Sequence, residues 1–127
     1  MRNLQACAAI FFMLQSMPAI SENGSADPAK LVQAIDLGNA PLIIDVRSPQ
    51  EYQTGHVPGA MLLPIQAFPG VIERLPADKR QLIVVYCEIG PRASLAKVAL
   101  TASGYQNVQH LDGHMRGWRE RGLRMDY

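Results

Sequence analysis

Three short apolar runs limit the architectures open to this chain. The segments LIIDV (residues 42–46) and QLIVVY (81–86) are apolar almost without a break, and NVQHL (107–111) has strand length beside them. A strand with one wet face alternates polar and apolar residues, whereas a strand apolar throughout must be covered on both sides. The intervening segments have helical spacing. Residues 28–35 follow Asp27 as N-cap with Pro28 at the first turn. Residues 92–103 place Leu95, Val98, Ala99 and Ala102 on one expected apolar face and stop at Gly104, and residues 115–121 form a closing helix. Ser48-Pro49-Gln50-Glu51 reads as a capping box that opens a short helix. Residues 61–63 suit a brief strand, and residues 65–75 a helix broken at Pro69-Gly70. Strands that alternate with helices, and are buried on both faces, specify an α/β fold around a parallel sheet. At 127 residues the chain holds one such domain.

The N-terminus stands apart. A short cationic lead, Met1-Arg2-Asn3, precedes an apolar stretch from Leu4 to Leu14 and then small and polar residues. That order matches a secretory signal peptide over residues 1–21, cut after Ser21 or as late as Ala26; a buried N-terminal helix is the other reading. The apolar stretch is about half of the ~20 residues a membrane span requires, so no retained span is expected. Removal of residues 1–21 takes Arg2 alone among the charged residues, leaving 11 basic and 11 acidic. A near-neutral domain gives no reason to expect a nucleic-acid partner. Cys7 leaves with the same segment, so Cys87 becomes the lone thiol, without an internal disulfide partner. His56, His110 and His114 have no recognised ligand spacing, and no metal or cofactor is expected.

Cys87 ends the clearest strand and opens a loop, Glu88-Ile89-Gly90-Pro91-Arg92, that feeds the clearest helix. In a parallel sheet, chemistry collects beyond the carboxyl ends of the strands, where Asp45-Val46-Arg47 also falls. Unpaired amides and the dipole at a helix start favour an anion. The Cys87 thiol should therefore ionise below its free pKa of about 8.5 and react as thiolate. The bland alternative is an inert core cysteine, but this loop is poor core sequence.

Several motifs then align with one family. IDVR (44–47), EYQTGHVPGA (51–60), YCEIGPR (86–92), and the stretch from NV (107–108) to LDG (111–113) with Trp118 resemble a single-domain rhodanese, of the small exported phage-shock type found in bacterial envelopes. The resemblance spans residues 27–124. It implies a three-layer α/β/α fold with a central parallel sheet of four to five strands, a periplasmic location and a monomer. It also implies sulfurtransferase chemistry. Cys87 attacks the sulfane sulfur of a small anionic donor such as thiosulfate, and the persulfide passes that sulfur to cyanide or a thiol. The implied substrate-binding residues are Glu88, Ile89, Gly90, Pro91 and Arg92, with backbone amides expected from Ile89, Gly90 and Arg92. Arg92 would face the substrate or brace the loop. Asp45, Arg47, Glu51, His56, Gly59 and Trp118 would serve as structural support.

Three departures from the family pattern bear on the donor. Pro91 has no N–H to offer, and Glu88 would raise the thiol pKa if it pointed inward. The usual Gly-Gly is here Gly113-His114. These features weigh against efficient thiosulfate turnover. The other readings are a sulfur carrier or binding module, and a cysteine-dependent phosphatase or arsenate reductase, although the phosphatase loop places its arginine one position further on. Arg116, Arg119, Arg121 and Arg124 form either a solvated helix face or a patch that steers anions.

Overall fold

The computed structural model describes residues 20–22 and 24–127, so the expected signal segment, with Cys7, lies outside it except for Ile20 and Ser21. The elements run β1 (Ser21–Glu22), β2 (Ser25–Ala26), α1 (Pro28–Asp36), β3 (Leu42–Asp45), α2 (Pro49–Gln53), β4 (Met61–Leu62), two 3₁₀ turns (Ile65–Ala67 and Gly70–Arg74), β5 (Ile83–Tyr86), α3 (Pro91–Ala102), β6 (Val108–Leu111) and α4 (His114–Glu120). The strand order is β1-β2-β6-β5-β3-β4. Five strands, β2 to β6, pair in parallel, and β1 adds an antiparallel edge to β2. The order reverses at β3, which has β4 on one side and β5 on the other.

Burial on both sides follows the strand period of two. Ile44, Ile83, Val85 and Val108 pack toward Ala93, Ala96 and Leu100 of α3 and toward Val71 and Ile72 of the second 3₁₀ turn. Ile43, Val84, Tyr86 and Leu111 face the opposite layer, with Leu31 of α1 and Met115 and Trp118 of α4. Helix starts follow their sequence signals. Asp27 accepts from Lys30 N–H at 3.0 Å. Ser48 Oγ accepts from Glu51 N–H at 3.2 Å while Ser48 N–H donates to Glu51 Oε1 at 3.1 Å, which completes the capping box.

Three expectations need correction. Residues 21–27, a polar linker by composition, contain strand: Ser25 and Ala26 pair with His110 and Leu111, which satisfies backbone groups that the outer edge of β6 would otherwise leave unpaired. Residues 65–75 form no α-helix; the Phe68–Pro69 bond is cis and divides two 3₁₀ turns. The buried face of α3 is also shifted from the one expected, of whose four residues only Ala99 packs against the core. Leu95 and Val98 are 63% and 68% exposed, while Ala93, Ala96 and Leu100 are fully buried. Small side chains let a helix approach a sheet closely, so the alanines took the inner face. Leu100→Ala should therefore destabilise the fold by about 2–5 kcal/mol through the cavity it leaves. Leu95→Ala should change stability by no more than about 0.5 kcal/mol. Urea unfolding of the two variants distinguishes the faces.

Candidate active site

Cys87 follows directly on β5 and its side chain is buried against the start of α3. Gly90 caps that helix with φ 134°, a conformation open to glycine and strained for any residue with a Cβ. This turn folds the chain back on itself, and the Gly90 N–H donates to Cys87 Sγ at 3.0 Å. From the expected set of amides, Gly90 bonds the sulfur; a second contribution comes from Ala93, one residue past the expected loop. Burial pushes the thiol up. The hydrogen bond with His114, the amides of Ala93 and Gly90, and the charge of His114 outweigh burial and bring the thiol down to about 7.

The remaining site residues are held by ion pairs. Asp45 and Arg47 are both buried at the end of β3. Arg47 Nε and Nη2 donate to the Asp45 carboxylate at 3.0 and 2.7 Å, and Nη2 also reaches Gly55 O at 2.8 Å. Arg92 Nη1 and Nη2 donate to Glu51 Oε1 and Oε2 at 2.6 and 2.9 Å. Of the two roles open to Arg92, its geometry is that of a brace between the reactive loop and α2. Glu88 is engaged by two guanidinium groups. Arg119 forks onto its carboxylate, with Nη2 donating to Oε1 at 2.7 Å, and Arg47 Nη1 lies 3.5 Å from Oε1. These pairs offset the negative charge that Glu88 would set against a thiolate.

The arginine series follows the same pattern: Arg116 pairs with Glu120 and Arg124 with Asp36, as Arg119 does with Glu88. Ile89 is 61% exposed at the loop tip, and Pro91 occupies the first turn of α3. His56 stacks on Tyr52 at 3.5 Å, with Nδ1 2.9 Å from Tyr52 O, and its backbone bridges to Asp126. Gly59 turns the chain toward β4 at φ 81°. Trp118 is fully buried and its Nε1–H donates to Arg124 O at 2.9 Å.

His114 was not among the expected site residues, although it bonds the backbone of Cys87. Its Nδ1 accepts the Cys87 N–H at 3.3 Å. The first amides of α4, from Met115 and Arg116, donate to Cys87 O and Glu88 O at 3.0 and 3.1 Å, which ties that helix to the reactive loop. The available signal was the break in the Gly-Gly pattern. A cleft of about 440 Å³ opens next to the loop, lined by Ile89, His110, Asp112, His114 and Arg116. Among the described residues no cluster of three His, Cys, Asp or Glu could hold a metal ion, and no helix is long and apolar enough to cross a membrane.

A buried cysteine thus sits in an amide turn, at the reversal point of the parallel sheet of an α/β domain. The chain belongs to the rhodanese-like domain family, which it matches over residues 27–121. A sulfurtransferase of Allochromatium vinosum is 34% identical over 82 residues, covering 65% of this chain and 75% of the relative. A tRNA uridine(34) hydroxylase of Erwinia tasmaniensis is also 34% identical, over 65% of this chain, but this covers 26% of the hydroxylase. The chain thus spans about a quarter of the hydroxylases it matches. Among solved structures, a rhodanese-related protein from Thermoplasma volcanium superposes with a TM-score of 0.69 at 26% identity, covering 80% of this chain and 96% of that one. A human single-domain sulfurtransferase shares the fold, with a TM-score of 0.68 at 22% identity over 79% of this chain and 98% of its own.

The Glu51–Arg92 brace gives an acid-dependent prediction. Arg92 foremost, with the Ser48 cap, holds the Glu51 carboxyl down at about 2, against an ordinary value of 4.5 and an opposing effect of burial second only to the Arg92 hydrogen bond. A depressed carboxyl stabilises the fold above its unfolded pKa and loses that contribution as pH falls through the folded one. The melting-temperature gap between wild type and Glu51→Gln should be widest above about pH 4.5 and close toward about pH 2. A gap that stays constant across that range would show that the ion pair contributes nothing.

Proposed function

We propose that this protein is a sulfurtransferase that carries a sulfane sulfur on Cys87, taking it from thiosulfate or a similar donor and passing it to cyanide or a thiol. The observation that carries this reading is the 3.0 Å bond from the Gly90 N–H to Sγ, in a site where the thiol is lowered to about 7. The thiolate attacks the outer sulfur of the donor, sulfite leaves, and Cys87–S–S⁻ remains. Amides aimed at the sulfur suit the terminal anion of that persulfide, as an oxyanion hole suits an alkoxide. Membership of the rhodanese-like family supports the same chemistry.

The phosphatase reading needs an arginine fork turned toward the bound anion. Both terminal nitrogens of Arg92 are instead bonded to Glu51, which favours sulfur over phosphate. Pro91 supplies no amide, so the cradle is one donor short. With Glu88 neutralised, this missing amide is the residual reason to expect slow thiosulfate turnover. We place the activity in the periplasm, on the strength of the N-terminal segment.

Intact mass after incubation with thiosulfate tests the reading. The wild type should gain one sulfur atom, Cys87→Ser should gain none, and added cyanide should return the loaded protein to its starting mass over repeated cycles. A wild type that never gains sulfur from thiosulfate or another sulfane donor overturns the proposal, and a single loading without discharge points to a carrier.

A further inference from the structure

Pro91 leaves the cradle one amide short, and a side chain stands close by that can make up the loss. His114 is half-buried at the start of α4 and has φ 53°, directly after φ 79° at Gly113. That region disfavours a residue with a side chain, and such a conformation persists where its surroundings over-determine it. Here they fix both the position and the tautomer of the ring. The Met115 and Arg116 amides bond the carbonyls of Cys87 and Glu88, and His110 of β6 meets the ring edge-on at 5.4 Å between centroids. The Cys87 N–H donates to Nδ1 at 3.3 Å. A backbone amide can only donate, so Nδ1 carries no proton and the ring's N–H is on Nε2.

That N–H is aimed at the reactive loop. A Cβ built on Gly90 would lie 3.3 Å from Nε2, against 3.7 and 3.9 Å from the two ring carbons that flank it. The apex of the ring therefore faces the space that Gly90 leaves by having no side chain. The same Gly90 gives its own N–H to Cys87 Sγ at 3.0 Å. A backbone donor and a side-chain donor thus border one hollow beside the sulfur. Among the described residues no acceptor is bonded to Nε2. Glu88, the carboxylate of the loop, is taken by Arg119 and Arg47.

We propose that the His114 Nε2–H is a hydrogen-bond donor to the terminal sulfur of Cys87–S–S⁻, in place of the amide that Pro91 lacks. The inference rests on the persulfide reading above and adds the group that holds the transferred atom. The outer sulfur stands one S–S bond from Sγ, roughly 2 Å, a step that reaches toward the hollow at Gly90. No proton is transferred: Nδ1 stays on the Cys87 amide while Nε2–H is shared with the anion.

Three variants separate this role from a positional one. Asparagine tolerates a left-handed φ and keeps an acceptor for the Cys87 N–H, but it is too short to reach the Nε2 position. Glutamine reaches that position with an N–H. Glycine removes the ring and suits the backbone. The persulfide fraction of each protein is read by intact mass in mixtures of thiosulfate and sulfite, approached from both free and loaded protein. His114→Asn and His114→Gly should each load about tenfold less favourably than wild type, with His114→Gln within about twofold, as the loss and retention of a hydrogen bond to an anion require. A His114→Asn protein that loads like wild type overturns the proposal, because an acceptor for the Cys87 amide would then suffice. A His114→Gln protein that loads as poorly as His114→Gly overturns it too. The persulfide can also be made without a sulfane donor: sulfide attacks Sγ of a Cys87–aryl mixed disulfide and the aryl thiolate leaves. Sulfur should then be lost roughly fivefold faster from the asparagine and glycine variants than from wild type, and equal lifetimes overturn the proposal. A wild type that thiosulfate never loads refutes the transfer reading, while these lifetimes still decide the role of His114.

Discussion

Parallel pairing in register is the constraint from which the site is built. Asp45 lies opposite Tyr86, and Val85 opposite His110, so the residues that follow β3, β5 and β6 all emerge at one end of the sheet. Arg47, Cys87 and His114 come from three separate stretches of sequence and meet there because their strands run the same way. Both faces of the sheet are apolar and covered, which fixes the register: a slip of one residue would exchange the two layers' side chains. The chemistry at the edge inherits its precision from that packing.

Around the sulfur, charges are neutralised in pairs. Asp45 is matched by Arg47, Glu51 by Arg92 and Glu88 chiefly by Arg119. The pairs differ in kind. The first is fully buried, so removing one partner would strand a charge in low dielectric at a cost of about 3–5 kcal/mol. The other two are partly solvated and contribute modestly to stability. Their main effect is on the field at the loop. With these three carboxylates each answered by a guanidinium, amides and one imidazole are the groups that lower the thiol.

The sequence was most legible where local rules and tertiary packing agree. The run ending at Cys87, the Gly-Pro turn and the helix beyond it could be read directly, as could the Ser48 capping box. Legibility failed where a contact spans distant segments. Nothing near Arg92 announces Glu51, which lies 41 residues away, and nothing near Ser25 announces the open edge of β6. The face of α3 was misread for a different reason: Leu95 and Val98 outweigh the alanines in hydrophobicity, but the sheet selects small side chains for close approach. His114 was visible only as an oddity, because its role depends on two successive left-handed residues bringing it back to a loop 27 positions earlier.

The short strand Ser25–Ala26 has a consequence for any shortening of the chain from its N-terminal side. It shields the flank of β6, and the Asp112 N–H is bonded to Ala26 O at 2.9 Å. Proteolytic trimming to Asp27 would strip that shield and leave an unpaired strand border, the kind of surface through which separate molecules zip together into aggregates. Trimming after Ser21 would spare it. The few residues between those two bonds thus decide whether the outer flank of β6 stays covered.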